Sequence, residues 1–246
     1  MPGLSDARSA LSVLTVLPAG RIDHDHAHPG AAAAWFPVVG ALVGGLAGGL
    51  RALTLGALGG TAASILGVTL LVAVTGALHH DGLADSADAL GVRGDRERRL
   101  AVMRDPRIGV FGTLALIAWS LLMVAALAPL TRLDGLRSLV AAAVTGRCLV
   151  LVHARAIRPA RTDGLGATFH PTTAGLLVGS SITLAGVLSL CGPLPGGVAL
   201  ASAALTCATV SLWSTRVVGG RTGDTLGATV VLAEVAVCLT LLGFWR

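Results

Sequence analysis

Apolar residues run along the chain in long blocks that are separated by shorter polar segments. Several blocks approach the roughly 20 residues that a helix needs to cross the hydrocarbon core of a bilayer. The pattern therefore predicts an all-α, polytopic integral membrane bundle that forms one domain over residues 1–246. Its six or seven transmembrane helices are expected at about 33–52, 61–78, 110–129, 137–152, 173–191, 197–213 and 226–244.

The N-terminal segment LSDARSALSVLTVL, residues 4–17, is too short to span a bilayer and carries Asp6 and Arg8. It predicts an interfacial or partly buried amphipathic helix. No basic start with an apolar core and a small-residue cleavage site precedes it, so we expect no cleavable signal peptide.

The composition agrees with a membrane protein, because 54% of the residues are hydrophobic and only 13% are charged. The cysteines lie far apart and form no CxxC pair, which indicates core packing rather than a disulfide or zinc framework. No basic patch is interleaved with aromatic residues, so a nucleic-acid partner is not expected. The lipid bilayer is the expected surrounding.

Arginines are divided unevenly between the two faces. Alternate crossings place residues 19–32, 79–109, 153–172 and 214–225 on one face and only short connections on the other. By the positive-inside rule the arginine-rich face is cytoplasmic, which predicts a multi-pass inner-membrane protein with its catalytic segments 79–110, 153–172 and 214–228 facing the cytoplasm. That face also holds every histidine: His24, His26, His28, His79, His80, His153 and His170.

The segment HHDGLADSADAL, residues 79–90, places Asp81, Asp85 and Asp88 at i, i+4 and i+7. On a helix these positions fall within one narrow stripe, where like charges repel unless a cation lies between them. Hard oxygen ligands without cysteine favour Mg²⁺ or Mn²⁺. The alternative is a solvated helix end.

A basic segment, GVRGDRERRLAVMRDPRIGVFG, follows the aspartates. Arginines beside a metal site are typical of polyphosphate binding, because guanidinium groups pair with phosphate oxygens in a bidentate manner. We assign a substrate role to Arg104 and Arg107, which lie beside Asp105. The alternative, contact with anionic lipid headgroups, explains Arg96, Arg98 and Arg99 equally well.

A second motif, GGRTGDTLGATVVLAE at 219–234, leads into the last span. Its Thr222, Gly223 and Asp224 lie where backbone N–H groups at a helix start can receive phosphate, although Asp224 also suits a plain N-cap. Glu234 lies deep in the span, which implies a partner or a function. For His79, His80 and Arg147 the sequence leaves substrate contact open against packing or, for Arg147, snorkelling.

These motifs, taken in order, resemble the cobalamin synthase family, also called adenosylcobinamide-GDP ribazoletransferase. The matching stretches are WFPVVGALVG at 35–44, HHDGLADSADAL at 79–90, RRLAVMRDPRIGVFG at 98–112, GR at 146–147 and GGRTGDTLGA at 219–228. The resemblance implies an integral membrane transferase that joins adenosylcobinamide-GDP to α-ribazole or its 5′-phosphate, releases GMP and requires a divalent cation.

The resemblance also implies roles for the motif residues. Asp81, Asp85 and Asp88 would hold the metal, with Asp224 completing its shell, and Arg104 and Arg107 would steady the diphosphate. The implied partners are the corrinoid nucleotide, α-ribazole and other cobalamin-pathway enzymes, with a homo-oligomer left open.

Two other functions remain as alternatives. A CDP-alcohol phosphotransferase also binds metal through helix aspartates, but its motif has Ala where this chain has Asp85 and Arg where it has Ser86. A secondary transporter would use Asp81 and Glu234 as ion-coupling groups, although internal repeats typical of transporters are not evident.

Overall fold

The computed structural model describes residues 3–20 and 29–246, and most of these residues are helical. It confirms the all-α prediction, since the described ranges contain no strand and only an isolated bridge between Pro159 and Arg221. Residues 21–28, which include Arg21 and His24, His26 and His28 of the predicted cytoplasmic face, lie outside the described residues.

The helices follow one another along the chain, and within the described residues six are long and apolar enough to cross a membrane. These six are α3 with the turns before it, α6, α7, α9, α10 and α11. The elements are α1 (Leu4–Leu14), α2 (Pro29–Ala32), a 3-10 turn (Ala33–Trp35), α3 (Phe36–Val74), α4 (Leu78–Gly91), α5 (Arg96–Val102), α6 (Val110–Leu127), α7 (Arg132–Ala156), α8 (Leu165–Thr168), α9 (Thr173–Cys191), α10 (Pro193–Val217) and α11 (Gly223–Trp245).

Helix α3 covers most of the first two predicted spans, 33–52 and 61–78, as two arms of one element, although the first begins in the preceding 3-10 turn and the second ends at Val74. The arms meet at Gly59, whose φ of 74° and ψ of 170° interrupt the helix in a conformation that glycine adopts readily. The second arm folds back on the first. Their contact includes a hydrogen bond in which Arg51 Nε of the first arm donates to Ser64 Oγ of the second at 3.1 Å. The six helices therefore agree with the seven predicted spans once this hairpin is counted as two.

Helix α7, predicted as the short span 137–152, is the most buried of the six long helices. It extends to Arg132–Ala156, since Thr131 caps its start by accepting from Asp134 N at 3.2 Å. Helix α1 confirms the predicted N-terminal helix and is partly buried through Ala10 and Leu14.

The two ends of the bundle differ in character. One end, called the polar end below, gathers the starts of α3 and α11, all of α4 and α5, and the loop 157–172. Contacts such as Arg104 with Asp163 and Arg161 with Asp224 join these segments. The opposite end consists of the tight turns at Gly59, between α6 and α7, and at Gly192.

The buried Arg51 closes the opposite end of the bundle. Its guanidinium donates to the carbonyl oxygens of Leu127 and Leu130, both at 2.7 Å, and of Thr131 at 3.0 Å. Leu127 ends α6, and Leu130 and Thr131 lie in the turn before α7. The carbonyl oxygens of Leu127 and Thr131 also accept from Leu130 N and Gly135 N, both at 3.0 Å, so Arg51 adds a second donor to them and ties α3 to the α6–α7 turn.

Glycines at every fourth position let α3 pack closely on α7. A methyl group added at Gly40 or Gly44 would lie 2.6 Å from the Ala143 carbonyl oxygen or 2.5 Å from the Leu139 carbonyl oxygen. A methyl group at Gly45, one position along, would meet nothing within 4 Å. The helix–helix contact is thus of the small-residue type common in membranes.

We expect Gly44→Ala to lower the free energy of unfolding by about 1–3 kcal/mol, because the methyl group forces α3 and α7 apart. Gly45→Ala is the matched control, and its higher helix propensity should leave stability equal or raise it by up to about 1 kcal/mol. Melting temperatures of the detergent-purified variants measure the difference. Equal melting temperatures for the two variants would contradict the packing described for α3 and α7.

Candidate active site

Helices α4 and α11 cross at the polar end with their backbones in direct contact. A methyl group added at Gly82 would lie 2.6 Å from the Asp224 carbonyl oxygen, and one at Gly227 would lie 3.1 Å from the His79 carbonyl oxygen. Glycine leaves room for this approach, which a larger residue would block. The crossing therefore sets the start of α11 against the first turns of α4.

The predicted aspartates form one electrostatic cluster at this crossing. Burial, followed by the negative charges of Asp224, Asp81 and Asp88, raises the pKa of Asp85 to about 7, against the opposing charge of Arg161. The contributions of Asp224 and Asp81 show that these carboxylates lie within electrostatic range of Asp85. The structure thus brings Asp224, distant in sequence, to the aspartates of α4.

The donor set at the cluster suits a hard divalent cation. As the structure stands, no group of three His, Cys, Asp or Glu side chains in residues 3–20 and 29–246 lies close enough together to hold a metal ion. Asp81, Asp85 and Asp224 still offer oxygen donors with surplus negative charge, and a cation between them would remove the repulsion that acts on Asp85. The predicted Mg²⁺ or Mn²⁺ stays a prediction.

Asp88, the third aspartate of the stripe, has a structural partner. Its two carboxylate oxygens accept from Gly109 N at 2.7 Å and Gly112 N at 2.8 Å, at the start of α6. A carboxylate at a helix N-terminus pairs with unsatisfied N–H groups and with the positive end of the helix dipole. Asp88 therefore fixes α6 to α4, a role that its spacing alone did not indicate.

The start of α11 is built around a threonine cap. Thr222 Oγ1 accepts from Thr225 N at 3.2 Å, so the N-cap is Thr222 and not Asp224. Asp224 instead accepts from Arg161 Nη2 at 2.9 Å. Arg161 was not identified from the sequence, because no spacing signal joins it to an aspartate 63 positions later.

Arg104 and Arg107 pair with different carboxylates at the polar end. Arg104 donates to both carboxylate oxygens of Asp163, at 2.7 and 2.8 Å. Arg107 pairs with Asp105 at 2.7 Å, and both line an open groove of about 580 Å³ on the side of Asp88. The hydrogen bonds from Arg107 hold the pKa of Asp105 down at about 2.

His79 and His80 are both buried, but they have different surroundings. His79 lines a cavity beside the α4–α11 crossing, which is described below. The ring of His80 packs edge-on against Trp119 with a centroid distance of 4.2 Å. Burial, with help from the Arg147 charge, lowers the pKa of His80 to about 4 and that of His79 well below its usual value. Both rings are therefore neutral at neutral pH.

Arg147 and Glu234 form an ion pair in the interior of the bundle. Arg147 Nη1 donates to Glu234 Oε1, and both side chains are at most 1% exposed. Gly146 allows the contact, since a methyl group there would lie 2.9 Å from the Val230 carbonyl oxygen of α11. Glu234 thus has the partner that its depth implied, and Arg147 neither snorkels nor opens to a substrate in this structure.

The buried Arg221 organises the loop 157–170. Its guanidinium donates to the carbonyl oxygens of Ile157, of Gly166 at 3.0 Å and of Phe169 at 2.9 Å. The same loop carries Arg161, so one side chain holds much of the site's rim. The sequence placed Arg221 on the polar face but gave no sign of this role.

A cavity of about 370 Å³ opens beside the α4–α11 crossing. Its polar side consists of His79, Asp81, Arg161, Asp163 and Asp224. Its apolar side includes Leu14 of α1, Phe36 of α3, Phe169 of the loop and Leu226 of α11. The lining of the site is therefore amphipathic, because it combines carboxylates and a guanidinium with aliphatic and aromatic side chains.

Comparison with known proteins gives a consistent result. The family model described as cobalamin-5-phosphate synthase matches residues 6–242. The chain is similar to proteins named adenosylcobinamide-GDP ribazoletransferase from Sinorhizobium medicae (41% identity, 82% of this chain and 81% of the relative), Bradyrhizobium diazoefficiens (39%, 98% and 94%) and Xanthobacter autotrophicus (43%, 92% and 89%). No solved structure matches the chain.

The buried ion pair predicts a non-additive effect on stability. Glu234→Leu should cost about 3–5 kcal/mol because it leaves a buried guanidinium unpaired, and adding Arg147→Met should recover most of this loss. Arg137→Met on the same helix, whose pair with Asp134 is partly exposed, should cost less than about 1 kcal/mol. Melting temperatures test this, and a double variant less stable than Glu234→Leu would contradict the pairing.

Proposed function

The chain belongs to the cobalamin-5-phosphate synthase family, and from this membership we propose that it has adenosylcobinamide-GDP ribazoletransferase activity. It joins adenosylcobinamide-GDP to α-ribazole or α-ribazole 5′-phosphate and releases GMP, in the last steps of cobalamin biosynthesis. The observation that carries the proposal is the carboxylate cluster beside an amphipathic cavity, within the region that the family model matches. Family membership favours this transferase over a CDP-alcohol phosphotransferase or a transporter.

The reaction is a displacement at phosphorus. A ribose hydroxyl of α-ribazole attacks the phosphorus on the cobinamide side, and a new phosphoester bond forms there. The bond from this phosphorus to the bridging oxygen breaks, and GMP leaves with that oxygen. The hydroxyl proton passes to a base at the site. Such reactions depend mainly on positioning and charge neutralisation, which the guanidinium groups of the site and a cation held by the carboxylates would supply.

The aspartates at the α4–α11 crossing would have two different roles. Asp81, Asp85 and Asp224 would hold a Mg²⁺ or Mn²⁺ ion, which when bound would neutralise charge on the diphosphate. Asp88 would remain bonded to the backbone N–H groups at the start of α6 and would help to position the aspartates of α4.

Guanidinium groups complete the proposed diphosphate site. Arg161 lines the cavity and Arg104 lies at its rim through Asp163, so both can exchange a carboxylate partner for phosphate oxygens. Arg107, in the open groove, adds positive charge on the approach to the carboxylates. Thr222 and Gly223 present the start of α11 to the same anion.

We place the polar end on the cytoplasmic side of the inner membrane. The arginines of α5, the loop 157–172 and the α10–α11 turn lie at this end, and the positive-inside rule assigns such an end to the cytoplasm. A membrane position would keep a bulky amphipathic corrinoid beside other enzymes of its pathway.

We expect detergent-purified protein to release GMP from adenosylcobinamide-GDP and α-ribazole 5′-phosphate only when Mg²⁺ is present. Asp85→Asn, which removes the charge and keeps the shape, should lower the rate by about 100-fold or more. Asp134→Asn, at the opposite end of the bundle, is the matched control and should change the rate by less than about twofold.

The experiment tests the proposed activity and the proposed site separately. Absence of GMP release by folded wild-type protein would refute the proposed activity. Release that Asp85→Asn leaves unchanged would keep the activity but refute the carboxylate cluster as its site.

A further inference from the structure

The cavity beside the α4–α11 crossing is too small for one of the two substrates. Its volume of about 370 Å³ lies near the lower end of the 300–1,000 Å³ that is typical of pockets for drug-sized ligands. A corrinoid nucleotide is several times larger than such ligands, whereas a single nucleoside is of the right size. If the proposed function holds, the cavity therefore suits the acceptor nucleoside, and the corrinoid must approach from outside.

The chemistry of the cavity wall distinguishes between flat bases. Phe36 and Phe169 line the apolar side and stack on each other, with ring centroids 5.3 Å apart and planes inclined by 10°. Leu14, Val150 and Leu226 extend this wall with hydrocarbon side chains only. A guanine base would leave its polar edges unpaired against such a wall, whereas the methylated benzimidazole of α-ribazole has little polar edge to satisfy.

Packing fixes Phe36, and a backbone hydrogen bond fixes the main chain at Phe169. Phe36 is buried at the first turn of α3, and the carbonyl oxygen of Phe169 accepts from Arg221 Nη2 at 2.9 Å. The cavity that these rings line is also lined by Asp81 and Asp224. A nucleoside with its base on the rings would thus have its ribose in the cavity that these carboxylates share.

We propose that this cavity is the α-ribazole subsite, in which Phe36 and Phe169 receive the aromatic base and determine the specificity for it. The inference rests on the proposed function and adds the location of one substrate. Phe169 is the residue of choice for a test because it is half-buried in a loop, so its replacement disturbs the bundle less than replacement of Phe36.

The test measures the KM of each substrate separately in Phe169→Leu and Phe169→Trp. Stacking on an aromatic side chain contributes about 1–3 kcal/mol per base, so Phe169→Leu should raise the KM for α-ribazole by about tenfold. The KM for adenosylcobinamide-GDP and kcat should stay within about twofold, and Phe169→Trp should retain the wild-type KM for α-ribazole. Phe244→Leu, an exposed phenylalanine at the far end of α11, is the matched control.

Equilibrium dialysis of α-ribazole with the purified protein, without the second substrate, keeps this inference separable from the activity. Wild-type protein should bind α-ribazole, and Phe169→Leu should bind it about tenfold more weakly. If Phe169→Leu fails to fold, Phe169→Met is measured in the same way. A raised KM for adenosylcobinamide-GDP alone would place guanine on the rings and overturn the inference. Unchanged KM values for both substrates would also overturn it, while leaving the proposed activity intact.

Discussion

The close contact between α4 and α11 is the constraint on which the functional end of the molecule depends. Gly82 and Gly227 let the two backbones touch, and a methyl group at Gly82 would already collide with the Asp224 carbonyl oxygen at 2.6 Å. Because the helices touch there, carboxylates from distant parts of the sequence share one small region. Burial and the repulsion between these carboxylates together raise the pKa of Asp85 to about 7. A cation or a phosphate-bound metal is the natural way to offset this repulsion.

Arginine side chains hold the irregular segments around this contact. Arg96 donates to the Val218 carbonyl oxygen at 2.9 Å, and Arg99 donates to that of Ala89 at 2.8 Å. Arg221 fixes the loop 157–170 in the same manner. In a chain with few charged residues, one guanidinium can satisfy several carbonyl groups that lack helical partners. The interpretation of Arg96 and Arg99 as lipid-headgroup ligands is therefore less apt than a structural one.

Hydropathy predicted the spans well because the bilayer imposes both their length and their apolar character. The helical stripe of Asp81, Asp85 and Asp88 was also predictable, since it depends only on the local 3.6-residue repeat. The partners of these groups were not, because they are tertiary contacts. No local pattern indicates that Asp88 caps α6, and none pairs Arg147 with Glu234 across 87 positions. The same limit explains why Arg161 and Phe169 were missed.

We propose that α4 and α11 together form one metal site, and Mn²⁺ binding tests this proposal without turnover. Electron paramagnetic resonance titration of the purified protein should detect one bound Mn²⁺. Asp85→Asn and Asp224→Asn should each weaken its affinity by about tenfold or more, although one residue lies on each helix. Mn²⁺ binding that depends on Asp85 but not on Asp224, or on neither residue, would contradict a metal site shared by α4 and α11.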